Sequence, residues 1–168
     1  HLAAGFNAMK TRLGKNFSYD CKGLLNLRGV LGEEHRLMVD GNARYSLSQA
    51  ERMAPLFEET GIFWLEEPFA PEDLDSYVSL KTKLQTPLAA GENEFGMQGF
   101  CDLMDRNVID IIQPDCCRAG GITECIRIGR LAAERGRFVA THTWSDAIAL
   151  TANLHLLASL DTDVILEI

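Results

Sequence analysis

The chain has 168 residues, of which 46% are hydrophobic and 24% charged, and its formal net charge is −8. That length can bury the core of one globular domain, and the acidic surplus argues against nucleic acid or an anionic membrane surface as partner. No apolar run is long enough to span a bilayer and no signal peptide is evident; the sequence opens on His1 rather than Met.

The first predicted element is a strand in FNAMKTRLG, Phe6 to Gly14, where Phe6, Ala8, Met9 and Leu13 are apolar but Lys10 and Arg12 are not. Strand side chains alternate, so the two cations share a face. Taken alone, they describe an edge strand with a polar side turned to water, because Lys and Arg are seldom buried unpaired. Tyr19 to Leu31 predicts a helix weakened by Gly23 and Gly29. HRLMVD is a strand ending at Asp40. Ser46 and Gln49 have capping-box spacing ahead of a helix carrying Leu47, Ala50, Met53, Leu56 and Phe57, stopped by Gly61. Pro55 inside that run predicts a kink or a later start.

GIFWLEEP is a strand reaching Glu66 and Glu67. PEDLDSYVSLKTKL predicts a helix with Pro71 in its first turn, Glu72, Asp73 and Asp75 early, and Lys81 and Lys83 late, as the helix dipole favours. TPLAAGE ends at Glu92, a helix follows from Gly96 to Arg106, and NVIDIIQPD ends at Asp115. A helix from Ile122 to Arg135, stopped by Gly136, leads to RFVATH and His142. Ser145 to Leu160 is the last helix, and DVILE the last strand, ending at Glu167.

Successive strand ends from Arg12 to Glu167 are 23 to 28 residues apart, the mark of a repeated supersecondary unit. Strand–helix alternation with short loops implies an α/β fold of parallel strands with right-handed crossovers. An open sheet and a barrel both satisfy it. The phosphate-cradling glycine fingerprints of nucleotide-binding sheets are missing, since CRAGG does not fit GxGxxG. Nearly every strand instead delivers a polar residue at its carboxyl end, which is how a TIM barrel builds its site. A full barrel takes about 250 residues, so residues 1–168 are expected to form a partial barrel domain, either a barrel lacking one unit and a final helix or a trimmed chain.

Asp40, Glu66 and Glu92 end three consecutive strands. Any one of them could be a solvated loop carboxylate or a helix cap; three at equal spacing would converge in a barrel mouth and repel unless a cation neutralised them. Hard oxygen donors suit Mg2+. Asp115 and His142 end the next two strands, and a carboxylate beside an imidazole fixes its tautomer and raises its basicity, which makes a general acid or base. His1, His35 and His155 fall at the terminus, in a loop and on a helix, and are read as structural or surface. Cysteines 21, 101, 116, 117 and 125 form no CxxC pair, so they read as reduced thiols of a cytoplasmic protein, mostly small core residues.

Together, LMVDGN, WLEEP, GEN, QPD with RAGGITE, and THTW resemble the enolase superfamily, mandelate racemase subgroup, over essentially the whole chain. The resemblance implies a modified TIM barrel of (β/α)7β type, here strands 2–8 without the N-terminal capping domain. It implies Mg2+ held by Asp40, Glu66 and Glu92, an Asp115–His142 dyad as base or acid, and Glu167 helping to polarise the substrate carboxylate. Asn42 matches a family position near the metal site, and Lys10 matches the family's first cation. The implied chemistry is removal of the proton α to a carboxylate of a hydroxy acid or sugar acid, followed by racemisation, epimerisation or loss of water. The family usually carries Lys-x-Lys where this chain has Lys10-Thr11-Arg12. Arginine is effectively always protonated and a poor base, so a two-base racemase is disfavoured. The expected function is a Mg2+-dependent acid-sugar dehydratase led by His142, with Lys10 and Arg12 on substrate oxygens. A racemase or epimerase is the alternative, and a non-catalytic barrel fragment or binding protein a third. A small-molecule acid is the expected partner and a homo-oligomer the expected assembly, with no motif that fixes the subunit number.

Overall fold

The structure, a computed structural model, describes residues 2–161 and 164–168; His1, Thr162 and Asp163 lie outside it, and with Asp163 the expected first residue of the last strand. The chain forms two compact units, His1–Leu88 and Ala89–Ile168.

The first unit opens with a short 3-10 turn, Leu2–Ala4, and then runs β1 (Ala8–Arg12), α1 (Phe17–Leu31), β2 (Arg36–Asp40), α2 (Leu47–Glu59), β3 (Trp64–Glu66) and α3 (Leu74–Lys81). β1 pairs with β2 and β2 with β3, both parallel, in a register that sets Arg12 opposite Asp40 and Asp40 opposite Glu66. Parallel strands covered by helices are apolar on both faces, and Leu37, Val39 and Leu65 are at most 1% exposed. α2 lays Ala50, Met53, Ala54 and Phe57 into this core at helical spacing.

Ser46 and Gln49 make the expected capping box, each side chain bonding the other's backbone N–H. Capped at Ser46, α2 starts at Leu47 and runs through Pro55, so the later start is not realised. α1 passes through Gly23 and Gly29 without interruption, anchored at its start by the Asn16 side chain accepting from the Tyr19 N–H. Arg28 holds its far end, donating to the carbonyls of Gly32, His35, Thr60 and Gly61. α3 begins three residues after Pro71, because Asp73 caps it by accepting from the Ser76 N–H; Pro71 and Glu72 stay in the preceding turn.

The second unit holds β4 (Leu88–Ala90, which starts at the boundary), α4 (Gly96–Asp105), β5 (Ile111–Ile112), α5 (Ile122–Glu134), β6 (Phe138–Thr141), α6 (Ala147–Ala158) and β7 (Val164–Leu166). β4 pairs with β5, β5 with β6 and β6 with β7, all parallel. α5 buries Cys125, Ile128, Gly129 and Ala132, and α6 buries Ala149, Asn153, Leu156 and Leu157. α6 starts two residues later than expected because Asp146 caps it, accepting from the N–H groups of Ile148 and Ala149, and it ends at Ala158. β5 is only two residues long, so Asp115 stands three residues past its end. The five cysteines are free thiols, with Cys116 and Cys125 buried and Cys117 exposed.

Two glycines allow the close approaches that shape the strand ends. A Cβ on Gly41 would lie 2.8 Å from the Cα of Pro68, so the loop after β2 can press on the loop after β3 only with glycine there. Gly91 has a φ of +136°, and a Cβ there would lie 3.0 Å from the Gln113 nitrogen.

Candidate active site

In the first unit, the register places Arg12, Asp40 and Glu66 on one rung and Lys10, Met38 and Trp64 on the rung two residues earlier. Residues two apart on a strand share a face, so Lys10 and Arg12 both meet carboxylates. Lys10 Nζ lies 2.5 Å from Glu66 Oε1, and Arg12 Nε donates to Asp40 Oδ2 at 3.2 Å. The opening strand is therefore not turning an idle polar face to water. Asp40 and Glu66 are 1% and 0% exposed, and burying two adjacent carboxylates is costly unless each is paired and hydrogen-bonded. The remaining donors come from the Trp64 indole, whose Nε1–H reaches Glu66 Oε2 at 3.0 Å, and from the Asn42 backbone N–H, which reaches Asp40 Oδ1 at 2.8 Å. Burial and the neighbouring Glu66 push the Asp40 carboxyl above its ordinary range, against the pull of Lys10, the Asn42 N–H and Arg12.

The loop that carries Asn42 is conformationally special. Asn42 and Ala43 have φ of 48° and 56°, and Glu67, which follows Glu66, has φ of 33°. Such left-handed conformations in residues other than glycine persist where surrounding bonds fix them. Here Gly41 N–H donates to the Glu66 carbonyl and Ala43 N–H to the Glu67 carbonyl, each at 2.7 Å.

In the second unit, Glu92, Asp115, His142 and Glu167 follow β4, β5, β6 and β7. His142 Nδ1 lies 2.9 Å from Asp115 Oδ2, and its Nε2 lies 3.5 Å from Glu92 Oε2. The ring is 4% exposed and Asp115 1%. An ionised carboxylate only accepts, so in the neutral ring Nδ1 carries the proton and Nε2 the lone pair. Burial lowers the His142 pKa, but the hydrogen bond to Asp115 and the charges of Glu92 and Glu167 outweigh it and leave it raised. Burial likewise raises that of Asp115, and the bonds from His142, the Cys117 N–H and Asn153 more than reverse this. Glu167 Oε2 accepts from the Thr143 N–H at 3.3 Å, which ties the last strand end to the residue after His142. Chemically, this is an imidazole oriented by a carboxylate and able to take or give a proton at Nε2.

The candidate site residues thus stand at or just past strand ends, except Lys10, which lies within β1 two residues before Arg12. Lys10, Arg12, Asp40, Asn42 and Glu66 are brought together in the first unit, and Glu92, Asp115, His142 and Glu167 in the second. Among the described residues, no group of three or more His, Cys, Asp or Glu side chains is arranged to hold a metal ion. The donors of the first unit nonetheless suit a hard cation, since Asp40 and Glu66 are two adjacent buried carboxylates that repel each other, and Mg2+ commonly takes one or two carboxylates with water and substrate oxygens completing its shell. His35 bonds the Leu31 carbonyl through Nδ1, and His155 is exposed on α6.

Two residues escaped the sequence reading. Trp64 counts as apolar in WLEEP, yet it sits two residues before Glu66 and so on the same face. Asn153 is the polar member of a buried stripe otherwise made by Ala149, Leu156 and Leu157, and that interruption of an apolar stripe was its available signal.

The family model described as Enolase C-terminal domain-like matches residues 1–168. The L-talarate/galactarate dehydratase of Salmonella typhimurium is 34% identical over 164 residues, covering 97% of this chain and 40% of that protein. The crystal structure of the 3,6-anhydro-D-galactonate cycloisomerase from Zobellia galactanivorans superposes with a TM-score of 0.94 at 38% identity, covering 99% of this chain and 47% of that one. A crystal structure of a mutant L-talarate/galactarate dehydratase liganded with Mg and L-glucarate gives a TM-score of 0.91 at 33% identity, covering 99% of this chain and 41% of that one. The chain spans less than half the length of each of these relatives.

Proposed function

Because the chain belongs to the Enolase C-terminal domain-like family, we propose that it carries the proton-abstracting half of a Mg2+-dependent lyase, which acts on a sugar acid and eliminates water to give a 2-keto-3-deoxy acid. The observation that carries this reading is the Asp115–His142 pair, a buried imidazole with its Nδ1 proton committed to a carboxylate. His142 Nε2 takes the proton α to the substrate carboxylate, and the resulting imidazolium, held by Asp115, returns that proton to the departing β-hydroxyl as water leaves. Lys10 and Arg12 bind substrate oxygens and favour the anionic state, Asn42 contributes to the substrate site, and Glu167 helps to polarise the substrate carboxylate. Asp40, Glu66 and Glu92 would hold Mg2+, which when bound would supply positive charge where the carboxylate gains electron density. The donor chemistry of Asp40 and Glu66 and the Mg-liganded relative support that assignment.

Arg12 separates this reading from racemisation. A second base on the opposite face would have to lose a proton, and a guanidinium does not do so in this range. A second reading, cycloisomerisation, is favoured by the cycloisomerase from Zobellia galactanivorans among the relatives. It shares the first step and differs in losing no water. The test is to incubate the protein with a panel of sugar acids and Mg2+, in H2O to read product mass and in parallel in D2O to read exchange. A product lighter by one water is expected, and His142→Asn should abolish its formation. A product of unchanged mass would replace dehydration with isomerisation, and deuterium exchange with inversion at the α-carbon of unconsumed acid would overturn the one-base scheme.

A further inference from the structure

Asn153 is fully buried in the middle of α6. A primary amide in such a place is costly unless its atoms are bonded, and here each one is. Its Oδ1 accepts from the Cys116 N–H at 3.0 Å. Its Nδ2 donates to the His142 carbonyl at 3.1 Å and to Thr143 Oγ1 at 3.2 Å, and lies 3.4 Å from Asp115 Oδ1. The orientation of the amide follows from the chemistry of its partners. A backbone N–H only donates and a carbonyl only accepts, so the flipped amide would lose both of its backbone bonds.

These partners belong to two strand ends. Asp115 and Cys116 follow β5; His142 and Thr143 follow β6. β5 is two residues long, so strand pairing alone leaves the segment carrying Asp115 without ladder bonds. The Asp115 carboxylate accepts from His142 on one oxygen, and on the other it accepts from the Cys117 N–H at 2.8 Å and faces Asn153. Thr143 in turn donates its N–H to Glu167. One amide therefore touches both halves of the Asp–His pair, and the residue that also binds Glu167.

We propose that Asn153 is the positioning residue of the site: by bridging the ends of β5 and β6 it fixes the plane of the Asp115 carboxylate and the backbone of His142, and so keeps the imidazole proton on Nδ1 and the lone pair on Nε2. This rests on the reading of Asp115 and His142 as the acid–base pair. Asparagine suits the position because it offers one acceptor and two donors at one length. Aspartate would lose the donors and set a second carboxylate against Asp115. Leucine would leave the Cys116 N–H and the His142 carbonyl unbonded.

The test compares Asn153→Leu and Asn153→Asp with the unchanged protein by circular dichroism, by the 15N spectrum of the His142 imidazole at fixed pH, and by steady-state kinetics with Mg2+ present. The unchanged protein should show the Nδ1–H tautomer. Both variants should fold, move the His142 nitrogen signals towards a mixture of tautomers, and lose about 10–100-fold in kcat, as is usual when a partner supporting an active group is removed, with KM near its original value. An unchanged imidazole spectrum in a folded variant would overturn the proposal. So would a loss confined to KM, or unfolding of both variants, which would make Asn153 a simple core residue. The imidazole spectrum needs no substrate, so it still judges Asn153 if no sugar acid is turned over and the functional reading fails.

Discussion

Asp115→Asn is the substitution that most directly examines the acid–base pair, because at nearly constant shape it reverses one hydrogen bond and removes one negative charge. The asparagine carbonyl can still accept from the Cys117 N–H, now 2.8 Å from Asp115 Oδ1. The group facing His142 Nδ1 at 2.9 Å becomes an NH2 donor. The ring can keep that contact only by accepting on Nδ1, which moves its proton to Nε2. There it meets Glu92 Oε2, 3.5 Å away, which favours the new tautomer further. Nε2 can then no longer take a proton from substrate. General-base catalysis is worth about 10²–10⁴ in rate, or roughly 3–6 kcal/mol on the barrier at about 1.4 kcal/mol per decade. The assay is kcat and KM on whichever sugar acid is turned over, beside thermal melting to show that the fold survives. A folded variant that keeps kcat within about tenfold of the parent would refute the assignment, and a defect confined to KM would move Asp115 from proton transfer to binding. The variant also carries a pH signature. The Asp115 carboxyl is held below its ordinary range, so its contribution to stability is present above that range and is lost as pH falls through the depressed value; Asp115→Asn should flatten the acid limb of the stability curve.

Two further substitutions probe the frame around the site. Gly41→Ala would place a Cβ 2.8 Å from the Pro68 Cα and 3.1 Å from the Glu67 carbonyl oxygen; backbone cannot yield as a side chain can, so a loss of about 1–3 kcal/mol is expected. An unchanged melting temperature would refute the close approach. Arg28→Lys replaces a planar fork that serves four carbonyls with a single ammonium, and each charged bond lost is worth about 1.5–3 kcal/mol at most. The urea midpoint should fall with the slope unchanged, and a midpoint equal to the parent's would show that water replaces the clamp without loss.

The strand ends were legible because two signals coincide there: a short apolar run fit for a covered parallel strand, and a polar residue where the run stops. That sufficed for Asp40, Glu66, Glu92, His142 and Glu167, whatever the helices between them do. Helix boundaries were less legible. Pro71 is acceptable in a first turn, but the start of α3 was decided by whether Asp73 could close a bond to Ser76, which depends on backbone geometry no spacing rule encodes. Gly23 and Gly29 lower helix propensity, and tertiary packing of Leu24 and Leu31 outweighs them. Lys10 and Arg12 looked like solvent-facing charges when strand periodicity was the whole argument, because the carboxylates they meet lie 28 and 56 residues away in the chain. Asn153 was hardest to read. One amide in an apolar helix states that something needs bonding, and only the folded chain says what.

The ion pair at the end of the first strand also bears on how the chemistry of such a protein can change over generations. Arg12 is 53% exposed and meets Asp40 from the side open to solvent, whereas Lys10 is 16% exposed. Each lysine codon is one nucleotide from an arginine codon. An exchange at position 12 therefore asks little of the core and leaves the neutralisation of Asp40 in place. It replaces a group that can release its proton with one that cannot. On the proposed reading of Arg12, position 12 is thus a mutational shortcut, where the repertoire of reactions can be narrowed or widened while folding is left almost untouched.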